Sequence, residues 1–159
     1  AGWETIRNGV ADFIVLEHAP HTWEEVQPGW QDMFSIPLGM TGAQEFVPSM
    51  LNAVNEGRLT LNQIAKLAAE APARRFGIYP KKGVIEVGAD ADFTIADMKR
   101  EAVFTKADML SKSGHTSWEG MKVKGLATYT IVRGEVVAQD GKLKGSQGYG
   151  KFVTGTATA

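Results

Sequence analysis

Apolar and polar positions follow different periods along the chain, and each period predicts a different element. Near the start, Trp3, Ile6 and Val10 recur at spacings of three and four, which predicts a helix face. The next run, residues 13–16, is continuously apolar. It predicts a strand over residues 12–17 that is covered on both faces, as in a parallel sheet or an α/β barrel.

A loop is predicted from residue 18 to about residue 42, because proline and glycine recur there. Two helices follow it. The first carries an apolar stripe and has Gly57 as its natural C-terminal stop. The second begins with a T-x-x-Q capping box at Thr60 and Gln63, and Pro72 is expected to break or redirect it.

The second half of the chain changes to a period of two, which predicts short strands. The predicted strands cover residues 84–87, 93–96, 129–132 and 135–138. Asp140-Gly141 predicts a tight turn after the last of them. Residues 154–159 are small and polar, and we expect a disordered tail there.

Composition excludes several classes of function. With 43% apolar residues and 22% charged residues in a chain of 159, an ordinary globular core is expected. The net charge of -1 gives no field that would attract nucleic acid or an anionic membrane. The absence of cysteine excludes disulfides and thiolate metal sites, and it fits a cytoplasmic protein.

Candidate chemistry concentrates in one motif, Glu17-His18-Ala19-Pro20-His21. A carboxylate and two imidazoles at the end of a predicted strand indicate part of a metal-dependent active site. The rest of the chain offers few further ligands, so the motif is interpreted as one piece of a larger site. For His18 two roles stay open: support of a metal ligand from outside, or packing behind the strand.

These residues resemble the cyclic amidohydrolases, and most closely their dihydroorotase branch. The stretch DFIVLEHAPHTWEE at residues 12–25 is similar to the end of the last barrel strand, where that branch has Asp-His-Ala-Pro-His. Further segments resemble family motifs in the same order: PLG at 37–39, GRLTL at 57–61, PARRFGI at 72–78, KGVI at 82–85, GADADF at 88–93 and TIVRG at 130–134. Hydantoinases and allantoinases are alternative branches.

The resemblance implies an α/β fold in two parts. Residues 1–80 would be the C-terminal end of a (β/α)8 hydrolase barrel, and residues 81–153 the C-terminal part of a small β-sandwich. A complete barrel needs roughly 250 residues, so the barrel would be incomplete here. The family's two zinc ions would take most of their ligands from outside this chain.

The resemblance also implies roles for individual residues. Glu17 would be both a metal ligand and the catalytic proton carrier, although the family has Asp at that position. His21, Pro37, Gly39 and Thr41 would contact the substrate. Outside these positions, His115 is interpreted as an exposed loop residue, and the acidic pair of residues 90 and 92 as turn caps.

Two classes of function follow. The first is a zinc hydrolase that opens a small cyclic amide or imide, of which this chain is the C-terminal portion. The second is a non-catalytic remnant or subunit with a role in assembly, which the change to Glu17 favours. A lone barrel strand exposes two edges, so we expect other polypeptide to cover it: the missing N-terminal part, another chain or a homo-oligomeric partner.

Overall fold

The computed structural model describes residues 2–155. Its α-helices are α1 Gly2–Arg7, α2 Trp23–Val26, α3 Phe46–Asn55, α4 Leu61–Ala65 and α5 Ala71–Arg75. Its strands are β1 Phe93–Val103, β2 Lys122–Val132, β3 Glu135–Gln139 and β4 Lys142–Leu143. Short 3-10 turns lie at Gln27–Trp30 and Lys106–Asp108, and a π-helical turn at Lys66–Glu70 joins α4 to α5. Of the predicted disordered tail, residues 156–159 lie outside the described range.

The four strands form one antiparallel sheet in the order β1-β2-β3-β4. Arg133 and Gly134 join β2 to β3 with φ angles of 48° and 82°. Asp140 and Gly141 join β3 to β4 with φ angles of 47° and 75°. Two successive left-handed residues match the right-handed twist of the flanking strands. The predictions of strands at 93–96, 129–132 and 135–138 and of the tight turn are therefore confirmed.

Two predicted strands are wrong. Residues 12–17 and 84–87 lie outside regular secondary structure. An apolar run becomes a strand only where a neighbouring strand can take its backbone hydrogen bonds, and neither segment has such a neighbour among residues 2–155. The Ile14 amide donates instead to the Leu67 carbonyl at 2.8 Å.

The signals at the helix ends are confirmed. Gly57 follows the end of α3 with φ of 70°, the left-handed conformation that ends many helices. At the start of α4, the Gln63 amide donates to Thr60 Oγ1 at 3.2 Å, and the Thr60 amide donates to Gln63 Oε1 at 2.9 Å. These two bonds form the capping box that the sequence predicts.

Of the two effects predicted for Pro72, a break in the helix is not observed. It lies in the first turn of α5, directly after the π-helical turn. The Ala71 amide there donates to the Lys66 carbonyl, five residues back, and Pro72 has no N–H. The wide turn thus accommodates the proline, and the Leu67 carbonyl is left to accept the Ile14 amide.

Helix α3 packs directly on β2 because Gly125 leaves room for it. A Cβ atom at Gly125 would lie 2.7 Å from the Leu51 Cβ, closer than real side chains approach. Two asparagines of α3 also join the helix to the strands. Asn52 Oδ1 accepts the Lys124 amide at 2.9 Å, and Asn55 Nδ2 donates to the Lys124 carbonyl at 2.8 Å.

The buried apolar core is small for a chain of this length. It consists of Leu51, Ala53, Leu59, Leu67, Ala73, Phe104 and Val123. Many large apolar side chains are exposed instead, among them Trp30 at 84% and Phe34 at 91% of their surface. Among residues 2–155, no helix is long and apolar enough to cross a membrane.

Asp90 and Asp92 are both paired with one cation of the chain itself, Lys82. The Lys82 amino group lies 2.9 Å from Asp90 Oδ2 and also donates to Asp92. Asp92 Oδ1 accepts the Arg133 amide at 2.8 Å, so it caps backbone as expected, but across the sheet rather than within its own turn. Burial disfavours the charged form of Lys82, yet the hydrogen bonds to Asp92 and Asp90 outweigh it and raise the pKa of Lys82.

The close approach of α3 to β2 makes Gly125→Ala strongly destabilising. We expect a loss of about 2–4 kcal/mol in the free energy of unfolding, from the clash with Leu51 together with the φ of 102°. Gly134→Ala is the matched control, since its φ is 82° but nothing lies within 4 Å of its added Cβ. Denaturant unfolding compares the two variants, and equal losses would contradict the packing argument.

Candidate functional site

The motif Glu17–His21 lies outside regular secondary structure, with Glu17 exposed. The His18 ring is hydrogen-bonded to the backbone of the loop that precedes α3. Its Nδ1 accepts the amides of Gly42 at 3.1 Å and Ala43 at 3.2 Å. An accepting Nδ1 requires the proton of a neutral ring to lie on Nε2. His18 is therefore an anchor for this loop rather than a residue packed behind a strand.

Residues 37–42, the predicted substrate loop, lie against the motif. The Ala19 amide donates to the Met40 carbonyl at 3.2 Å. A Cβ at Gly39, whose φ is 153°, would lie 2.3 Å from the Ala19 carbonyl oxygen. The sequence predicts that a substrate approaches the Gly39 backbone closely. In the structure, the group that approaches it closely is the backbone of Ala19. The two segments that the sequence assigns to one site are thus adjacent.

Thr41 and Glu45 form a buried pair at the start of α3. Each is only 1% exposed, and the Thr41 hydroxyl donates to Glu45 Oε1 at 3.1 Å. Thr116, from the connection between β1 and β2, donates its hydroxyl to the same oxygen at 2.6 Å. The Thr41 side chain thus has a partner within the chain, and its contact with substrate stays a prediction.

His21 lies at the entrance to α2, and local hydrogen bonds fix this turn. The Thr22 amide donates to Glu25 Oε2 at 2.7 Å, and the Glu25 amide donates back to Thr22 Oγ1. The bond from the Thr22 amide lowers the pKa of the exposed Glu25. This support is therefore present above the ordinary pKa of Glu25 and is lost as the pH falls through its lowered value. His21 Nδ1 lies 3.7 Å from Glu25 Oε2.

The interpretation of His115 as an exposed loop residue is wrong. Its ring is half-buried, and its Nε2 lies 2.8 Å from the His21 carbonyl oxygen. The ring also packs edge-on against Trp23, with centroids 6.0 Å apart. A residue of the β half thus contacts the candidate site across 94 positions of sequence.

The described residues do not complete a metal site. Within residues 2–155, no group of three or more histidine, cysteine, aspartate or glutamate side chains is placed to hold an ion. His18 Nδ1 is already occupied by two amides. The donor chemistry of the exposed Glu17 carboxylate fits a zinc ligand, but residues 2–155 do not assemble a set of ligands around it.

A cavity of about 840 Å³ lies away from the motif, between the helices and the sheet. Its lining is mainly apolar and includes Phe46, Leu51, Ile64, Phe76 and Phe93. No residue from 17 to 45 contributes to this lining. The cavity is therefore separate from the candidate site.

Comparison with known protein families shows to which family these helices and strands belong. The amidohydrolase family matches residues 2–137, which is most of the chain. The chain belongs to the amidohydrolase family. The resemblance inferred from residues 12–25 and the collinear motifs is thereby confirmed at the level of the superfamily.

Individual amidohydrolases show the same relationship. The L-hydantoinase of Paenarthrobacter aurescens is 39% identical over 153 residues, which are 96% of this chain and 33% of that protein. The dihydroorotase of Pyrococcus furiosus is 42% identical over 132 residues, 83% of this chain and 30% of that protein. The solved L-hydantoinase from Arthrobacter aurescens superposes with a TM-score of 0.92 at 38% identity, covering 96% of this chain and 34% of that one. The chain spans about a third of the length of these amidohydrolases.

Sequence reasoning missed the contacts by which three residues hold the site together: His115, Thr116 and the buried Glu45. No local pattern marks a contact between positions 71 or 94 residues apart. It also missed α2, although Thr22 and Glu25 form a T-x-x-E capping box of the kind that was recognised at Thr60.

The pairing of Thr116 with Glu45 predicts the effect of removing one hydroxyl. Thr116→Val keeps the shape but leaves buried Glu45 Oε1 with one donor fewer, and we expect a loss of about 1–3 kcal/mol in stability. Thr116→Ser keeps the hydroxyl and is the matched control. Thermal unfolding of the three proteins measures the effect; a Val variant as stable as wild type would show that this bond contributes nothing.

Proposed function

We propose that this chain is the C-terminal portion of a zinc-dependent cyclic amidohydrolase that hydrolyses the C–N bond of a small cyclic amide or imide. The observation that carries the proposal is the match to hydantoinases over 96% of the chain, with the motif Glu17–His21 inside the matched range. The packing of the predicted substrate loop on this motif supports it.

The proposed division of the fold follows the family. Residues 1–80 are the end of the barrel, and residues 81–153 are the C-terminal share of the β-sandwich. Exposed apolar side chains support the need for further polypeptide, because monomeric proteins rarely leave many such residues uncovered. They include Val15, Trp30, Phe34, Leu38, Ile85 and Val87. The covering polypeptide is the rest of the barrel and sandwich, and the complete enzyme is a homo-oligomer.

Glu17 is the proposed ligand from this chain and the proposed proton carrier. Zinc held by Glu17 and by ligands from outside this chain would lower the pKa of a water molecule and so supply a nucleophile near neutral pH. The oxygen of that water would bond to the carbonyl carbon as the C–N bond breaks, and the Glu17 carboxylate would take a proton from the water and deliver it to the leaving ring nitrogen. His21 binds the polar edge of the substrate, while Pro37, Gly39 and Thr41 present backbone groups that can pair with an amide ring.

The substrate class follows from the relatives on both branches. Hydantoinases match a longer part of the chain, and a dihydroorotase matches at slightly higher identity. Ala19-Pro20-His21 favours a dihydroorotase-like site. A substrate panel should therefore contain dihydroorotate, a hydantoin, a dihydropyrimidine and allantoin.

The alternative is a non-catalytic amidohydrolase-like subunit. The specific observation that favours it is Glu17, where the family motif has Asp. The extra methylene moves the carboxylate by roughly 1 Å, and such a displacement can lower a rate by about a hundredfold. The two proposals differ in whether the complete protein turns over any cyclic amide.

The hydrolase proposal predicts that Glu17→Gln abolishes activity on the panel, with a loss of at least about a hundredfold in kcat, since an amide cannot carry the proton. Zinc content by mass spectrometry should fall as well. Glu24→Gln is the matched control, because Glu24 is an exposed glutamate seven positions away. A wild-type protein without zinc and without turnover of any panel member would support the non-catalytic alternative instead.

The position of the carboxylate can be tested separately with Glu17→Asp, which restores the family residue. If Glu17 is the proton carrier, shortening the side chain changes kcat by about tenfold or more, whereas KM changes less. Steady-state kinetics on the best panel substrate measures the changes in kcat and in KM separately. Unchanged kcat and unchanged zinc content would exclude Glu17 as proton carrier.

A further inference from the structure

We propose that His115, which lies in the β half of the molecule, is a positioning residue for His21. It fixes the peptide that carries the substrate-contacting imidazole of His21. This inference rests on the proposed function for the role of His21, but the contact itself does not. His115 touches neither substrate nor metal in this proposal, and it acts only through the backbone of the motif.

The contact has a defined donor and acceptor. A carbonyl oxygen only accepts, so at 2.8 Å the His115 Nε2 carries the hydrogen and donates it to the His21 carbonyl. The edge-on contact with Trp23, at an interplanar angle of 70°, holds the plane of the ring. A half-buried imidazole with one aromatic contact and one nitrogen bonded has little freedom to turn.

The connecting segment, residues 104–121, gives His115 a rigid base. Gln44 Nε2 donates to the Asp108 carbonyl at 2.7 Å, and Gln44 Oε1 accepts the Leu110 amide at 3.0 Å. Thr116, the residue after His115, donates its hydroxyl to Glu45, the residue after Gln44. The segment is thus joined to the start of α3 on both sides of His115, and the imidazole projects from it toward the motif.

The position of His21 in its own segment explains why one backbone bond matters. His21 directly precedes Thr22, the residue that caps α2, so its carbonyl is the first group outside the local hydrogen bonds of that turn. Without the His115 donor, only the bond from the Thr22 amide to Glu25 Oε2 restrains the peptide after His21, and a shift of that peptide moves the imidazole of His21. A loss of this kind weakens substrate binding more than it slows the chemical step.

The decisive comparison uses three variants of the complete protein. His115→Phe keeps a ring against Trp23 and removes the donor. His115→Gln restores an N–H at a similar reach, and His115→Asn carries the same amide on a shorter side chain that does not reach. Lys112→Ala is the control, since Lys112 is exposed in the same segment.

Steady-state kinetics gives the first readout. We expect His115→Phe and His115→Asn to raise KM about tenfold with kcat changed by less than about threefold, and His115→Gln to recover most of the loss. Lys112→Ala should match wild type. A fall in kcat with unchanged KM, or failure of Gln to recover what Asn loses, would overturn the positioning role.

Hydrogen exchange gives a second readout that needs no activity. The amides of Glu25 and Val26 donate within the turn after His21, so His115→Phe should speed their exchange about tenfold, and His115→Gln should restore it. Unchanged exchange in residues 21–26 would refute the contact.

If wild type hydrolyses nothing, the proposed function fails while this readout still decides the positioning. If His115→Phe does not fold, the comparison of His115→Gln with His115→Asn decides both the kinetic and the exchange readout.

Discussion

The Glu45 carboxylate is almost fully buried, at the residue that directly precedes α3. A buried carboxylate is costly unless donors surround it. Its donors come from Thr41 of the loop beside the motif and from Thr116 of the connecting segment. Both donors bond Oε1, whereas Oε2 is buried without a partner among residues 2–155, and the two bonds fix three parts of the chain relative to one another. This arrangement holds together the loop beside the motif, the start of α3 and the connecting segment.

Local signals predicted the elements well where the physical cause is itself local. The capping box at Thr60, the left-handed Gly57 and the turn at Asp140-Gly141 need only a few neighbouring residues, and all are confirmed. The apolar runs at 12–17 and 84–87 were misassigned, because an apolar run reports burial but not whether a strand is available for pairing. The contact between His115 and His21 could not be predicted, since it depends on how distant segments pack.

The candidate site shows the same division between local and distant causes. The motif and the loop at residues 37–42 were placed in one site from their resemblance to a family, and the structure shows them in contact through Ala19 and Met40. Two hydrogen bonds support these segments, one between Gly42 and His18 and one between Thr116 and Glu45. Neither could be predicted from the sequence. A family motif identifies which residues do the chemistry, whereas the hydrogen bonds behind them determine whether they are held in place.

The π-helical turn before Pro72 has a consequence for the order in which the molecule assembles. The Leu67 carbonyl accepts the Ile14 amide because the wide turn and the proline leave it without a donor from its own helix. The helix around Pro72 orients that acceptor toward Ile14. During synthesis, residues 12–16 leave the ribosome well before Leu67 does. The segment that directly precedes the candidate catalytic residue therefore gains this bond only after residue 67 has been made.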